Sequence, residues 1–151
     1  MGNVAYILKP KQDVAYIFDH ITVRQALERM RHKGYTEVPV LHSDGRYVGT
    51  VSEGDFLWFI LDSGLEGDSL SQLLRSTPVS SLLHRRRNPP ARITAPMEEL
   101  LAQSDENKNA FIAILDDRDM FIGIVVRGDI IKYYARSQAQ GAPPARSASA
   151  S

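Results

Sequence analysis

The side chains that could do chemistry are few. His20, His32, His42 and His84 show no spacing that would gather metal ligands. The acidic pairs Glu98-Glu99 and Asp116-Asp117 fall at positions expected to be exposed. They lack the contrasting environments that turn two carboxylates into an acid and a base. The chain has no cysteine, which removes thiolate nucleophiles, disulfides and thiolate metal sites. No Ser/His/Asp arrangement and no phosphate-binding glycine loop is present. The residues therefore argue against an enzyme. The run His84-Arg85-Arg86-Arg87 reads as solvated linker charge, with a phosphate clamp as the alternative. What stands out is a pair of carboxylates at the starts of two expected helices. Ser52-Glu53-Gly54-Asp55 alone reads as a capping box, an interaction that stabilises by about 1 kcal/mol. In the second segment Val126 cannot cap, yet Asp129 is still there. Helix N-termini also present free N–H groups and partial positive charge, which suit phosphate.

The elements that carry these carboxylates occur twice. From Val38 onward the halves align without a gap at an offset of 74: Val38-Pro39-Val40-Leu41 over Ile112-Ala113-Ile114-Leu115, Tyr47-Val48-Gly49 over Phe121-Ile122-Gly123, Gly54-Asp55 over Gly128-Asp129. Upstream, Ile21-Thr22-Val23 matches Ile93-Thr94-Ala95, which requires two extra residues between Ser104 and Lys108. Thr22 is a plausible N-cap for a helix over 23–33, and Gly34 stops it. A strand over 37–41, an Asp44-Gly45 turn and a return strand over 46–51 form a hairpin. A helix over 53–62 follows, with Phe56, Leu57, Phe59, Ile60 and Leu61 on its apolar side and Trp58 in the core or at a dimer interface. The second copy predicts a helix over 96–104, strands over 111–115 and 120–126, and a helix over 128–136; its hairpin turn has no glycine. The expected domains are a first repeat at 7–62, a linker with short helices at 63–90, a second repeat at 91–136 and a disordered Ala/Ser/Pro-rich tail at 137–151.

Lys plus Arg and Asp plus Glu both total 18, so no net field draws the chain onto nucleic acid or an anionic membrane. No apolar run reaches the ~18 residues of a membrane span, and the N-terminus lacks a signal-peptide core. A cytoplasmic location is expected. The fold class is α/β (α+β). Each β-α-β-β-α copy alone is a marginal core, so the two are expected to pair about a pseudo-two-fold axis and leave two clefts.

The repeated Val38–Leu41 strand, its hairpin and Gly49-Thr50-Val51-Ser52-Glu53-Gly54-Asp55 resemble a CBS domain, and the tandem resembles the CBS pair, or Bateman module, of stand-alone bacterial proteins. The resemblance implies a regulatory ligand (AMP, ADP, ATP, S-adenosylmethionine or cyclic di-AMP), no metal, a homodimer and an unidentified protein partner. It implies that Asp55 and Asp129 accept ribose hydroxyls and that Ser52 bonds ribose or phosphate. It pairs Asp129 with Thr22, Tyr35, Thr36, Val38 and Pro39. It pairs Asp55 and Ser52 with Ile93, Asn109, Phe111, Ile112 and Ala113. Tyr35 is placed to stack on a purine, and Arg127 to reach phosphate. The departures are Val126 for a hydroxyl residue, Ala113 for the strand proline and Asn109 where the first copy has Tyr35. They favour the cleft of Asp129 and Tyr35. They also leave room for an interaction or dimerisation module with degenerate clefts.

Overall fold

A computed structural model describes residues 3–83, 88–107 and 109–139, with side chains to Arg136. Of the tail expected at 137–151, residues 137–139 are helical instead, and the remainder, the basic run at 84–87 and Lys108 lie outside the described residues. The chain forms two compact units: residues 15–89 with 119–121, and residues up to 14 with 90–118 and 122 onward. No helix is long and apolar enough to cross a membrane among the described residues.

The first-repeat unit holds a sheet of order β2-β3-β4, built from Ile17–Phe18, Glu37–Leu41 and Tyr47–Ser52. β2 runs parallel to β3, and β3 antiparallel to β4. Helix α1 spans Val23–Lys33. Thr22 Oγ1 accepts from Gln25 N–H at 3.1 Å, and Gln25 Oε1 accepts from Thr22 N–H at 3.0 Å. Gly34 ends the helix in the left-handed region at φ 74°, where only glycine escapes the Cβ clash. Val23, Ala26 and Met30 recur at helical spacing and are buried on one face. Helix α2 spans Glu53–Ser63, and α3 spans Gly67–Ser76 and packs on α1. The core gathers Ile17, Val40, Val51, Phe56, Val79 and Leu82, among others.

The second-repeat unit holds a sheet of order β1-β7-β6-β5, from Lys9–Pro10, Phe121–Val126, Phe111–Leu115 and Ala91–Arg92. Helices α4 (Met97–Asn107) and α5 (Arg127–Ala139) pack together over a core that includes Val4, Leu100, Ile114, Val125 and Ile130. Residues 7–14, which the sequence assigns to the first repeat, lie in this unit. β1 pairs antiparallel with β7, Pro10 opposite Gly123. A Cβ on Gly123 would collide with the Lys9 carbonyl oxygen, so the close strand approach requires glycine there.

The two-residue gap expected in the second helix region is absent. β2 pairs with Val40 and Leu41, and β5 with Ile114 and Leu115, so the offset of 74 already holds at these strands. α1 and α4 both have 11 residues at the same offset. Thr22 therefore corresponds to Pro96, not Thr94, and Ile93 corresponds to Asp19: Asp19 N–H and Ile93 N–H each donate to the equivalent carbonyls of Leu41 and Leu115 at 2.9 Å. Proline is accepted here because a helix start leaves its first N–H groups unbonded anyway.

The hairpin tips show how the second copy manages without glycine. Gly45 has φ 99°, and its counterpart Asp119 takes φ 67°. Aspartate tolerates this left-handed position better than most residues, though the conformation still costs on the order of 1 kcal/mol.

Candidate functional site

Both helix-start carboxylates are held by the same backbone device. Glu53 N–H donates to the Thr36 carbonyl at 2.9 Å, and Arg127 N–H to the Ala110 carbonyl at 3.0 Å. Each bond ties the first residue of the second helix to the residue just before the first hairpin strand. The segments bearing Thr36 and Asp55 are thus joined in one unit, and those bearing Ala110 and Asp129 in the other.

The side chains then diverge. Asp55 is only 5% exposed, and its Oδ2 accepts from Ser52 N–H at 2.9 Å and from the Ser52 hydroxyl at 3.2 Å. Its carboxylate serves its own helix start, as the capping reading expects. Asp129 is half-buried, and Val126 supplies no hydroxyl to it. Among the described residues no hydrogen bond or ion pair engages the Asp129 carboxylate.

The remaining sequence-predicted residues sort by exposure. Tyr35 follows the Gly34 cap and is 41% exposed. No ring contact engages it among the described residues. Its counterpart Asn109 is 6% exposed and offers no aromatic surface. Thr22 is half-buried and spends an acceptor on its helix cap. Thr36 is exposed. Val38 and Ile112 belong to the two cores, and Pro39, Phe111 and Ala113 are buried on the same strands, so any ligand contact there falls mainly to backbone atoms. Ile93 and Arg127 are half-buried. Trp58 is not in the core: it is 52% exposed, and Leu57 and Leu61 beside it are exposed too, leaving Phe56 as the buried anchor of α2. Among the described residues no group of three or more His, Asp or Glu could hold a metal.

Sequence reasoning missed one polar cluster. The Tyr47 hydroxyl donates to the Asn88 carbonyl at 2.6 Å and lies 2.8 Å from Thr50 Oγ1, which also accepts from Asn88 Nδ2 at 3.1 Å. Burial pushes the Tyr47 phenol up to about 12, with the Glu37 carboxylate adding to the shift and the Thr50 hydrogen bond opposing it. The counterparts in the second repeat are Phe121 and Ile124, so this network belongs to the first repeat alone. A tyrosine and a threonine at positions that are apolar in the other copy were the available signal.

Two β-α-β-β-α units with helix-start carboxylates at equivalent positions define the class: a mixed α/β fold of two equivalent repeats. Residues 4–62 match the CBS domain family model. The chain has the fold of solved CBS-domain proteins. It is similar to the crystal structure of CbpB in complex with c-di-AMP (20% identity, 92% of this chain and 88% of that chain, TM-score 0.79). It is similar to a CBS domain protein from Streptococcus pneumoniae TIGR4 (20%, 87% and 86%, 0.76). It also resembles CBSX2 in complex with AMP (22%, 91% and 99%, 0.73). No curated protein matches the chain.

Proposed function

We propose that the chain is a regulatory, non-catalytic CBS pair that senses an adenine nucleotide. The ligand class is AMP, ADP, ATP or cyclic di-AMP, with S-adenosylmethionine as a further adenosyl candidate. The protein acts in the cytoplasm as a homodimer and passes the signal to a protein partner. The observation that carries this reading is the Asp129 carboxylate: half-buried, not engaged by its own helix start, and set in a fold that solved CbpB and CBSX2 structures show with c-di-AMP and AMP. An ionised carboxylate without a local donor is suited to two adjacent ribose hydroxyls. Arg127, at the start of the same helix as Asp129, meets phosphate. Asp55 plays a structural part, because its acceptor atom already receives two local donors. That closure also favours the second reading, a dimerisation module whose ligand sites have decayed.

Ligand that binds only the folded chain raises its melting temperature by linkage. A thermal-shift series with AMP, ADP, ATP, S-adenosylmethionine and cyclic di-AMP is expected to show stabilisation by at least one of them, and Asp129→Ala to remove most of it. No shift with any of the five at millimolar concentration would leave the dimerisation module as the function.

A further inference from the structure

The two helix-start carboxylates share a backbone frame and differ in what stands three residues before them. At the 74-residue offset Ser52 corresponds to Val126 and Asp55 to Asp129. The frame matches down to the bonds from Glu53 N–H to Thr36 and from Arg127 N–H to Ala110. In the first repeat the Ser52 N–H and hydroxyl both donate to Asp55 Oδ2, and Asp55 is drawn in until it is 5% exposed. Val126 has the same backbone N–H. Among the described residues no bond runs from it to Asp129, which stays half-buried. The local chemistry accounts for this difference. A carboxylate that closes on an N–H gives up water on that side. At Ser52 a hydroxyl supplies a second donor that offsets the loss. At Val126 two methyl groups occupy that place and supply none.

We propose that Val126 is a positioning residue: by withholding the hydroxyl that closes Asp55, it keeps Asp129 open and so decides which repeat takes the ligand. This rests on the nucleotide reading of Asp129 and names its cause, a side chain that acts through the carboxylate rather than on the ligand. The opposite chemistry is a hydroxyl that itself bonds ribose or phosphate. Valine at 126 would then weaken the site instead of opening it.

Val126→Thr separates the two, because it exchanges one methyl for a hydroxyl and keeps the branched shape. Without nucleotide, it is expected to raise the melting temperature by roughly 2–4 °C more in the Asp129 chain than in an Asp129→Ala background, the scale of one added helix cap. In calorimetric titration with AMP it is expected to weaken binding about fivefold, because the ligand must then displace one net hydrogen bond. Val126→Ile, branched and without a hydroxyl, is expected to keep the affinity of the unsubstituted chain. Unchanged or tighter AMP binding by Val126→Thr, in a chain whose affinity Asp129→Ala weakens, would overturn the positioning role and leave the nucleotide reading standing. So would an equal melting-temperature change in both backgrounds. No AMP binding by the unsubstituted chain would overturn the AMP reading, and the role of Val126 with it.

Discussion

The first repeat places a serine three residues before its helix-start carboxylate, and the second places a valine. In the first, Ser52 closes on Asp55 and the carboxylate becomes part of the scaffold. In the second, Asp129 is left for something else. The sheets beside them differ in the same spirit. The β4 side of the first repeat is tied to Asn88 through Tyr47 and Thr50, while β7 of the second is covered by the β1 ladder and carries Phe121 and Ile124. Duplication has preserved the backbone and the core, and one copy has spent its polar groups on holding itself together.

The glycine pair should separate the two sheets most sharply. Gly123→Ala puts a methyl carbon into the Lys9 carbonyl oxygen, backbone that cannot swing away, and is expected to lose about 3 kcal/mol or more of stability in urea unfolding. Gly49→Ala meets the movable end of Leu83 at 3.1 Å instead. It should cost about half as much, mostly as backbone strain. Equal losses would show that β1 yields as readily as a side chain.

Tyr47→Phe turns the first repeat's network into the second's apolar pattern. It strands the buried Asn88 carbonyl and should lose about 1–2 kcal/mol near neutral pH. Its pH signature is distinct. Because the folded phenol titrates near 12 rather than the ordinary 10.0, the wild-type chain keeps this contribution below pH 10 and loses it as pH rises through 12. The mutant should lack that increment of alkaline destabilisation, which parallel urea titrations at rising pH would read. Ser52→Ala removes one of the two donors to Asp55 and should cost about 1 kcal/mol, with the ligand-induced thermal shift unchanged. The smallest effect belongs to Asp44. The Arg46 backbone N–H bond holds its carboxyl below the ordinary value of 3.8, with the Arg46 guanidinium adding to this. Its stabilising contribution is therefore present above that value and lost as pH falls through the lowered one. Asp44→Ala should flatten a slight acid dependence of the hairpin, visible in amide exchange.

Most of the secondary structure was legible because each signal was local. Thr22, Gln25 and Gly34 mark both ends of α1, and Asp44-Gly45 marks the hairpin. Three things were hidden by non-local pairing. Residues 7–14 follow β7, a partner more than a hundred positions away in sequence that leaves no trace near Lys9. The shared Ile-Thr dipeptides of 21–22 and 93–94 suggested a gap, whereas strand pairing fixes Pro96 at the helix start. The exposure of Leu57 was invisible, and Trp58 was left between core and interface, because an apolar run looks the same whether it faces a core or an open surface. At the candidate site, Asp55 and Asp129 were both legible as carboxylates, but only geometry shows that one already has donors.

That difference is best measured by calorimetric titration of AMP into three proteins: the unsubstituted chain, Asp55→Ala and Asp129→Ala. One nucleotide per chain is expected, with affinity largely kept in Asp55→Ala and lost by at least about tenfold in Asp129→Ala, as removal of a charge-assisted acceptor implies. Full affinity in Asp129→Ala with loss in Asp55→Ala would contradict the account.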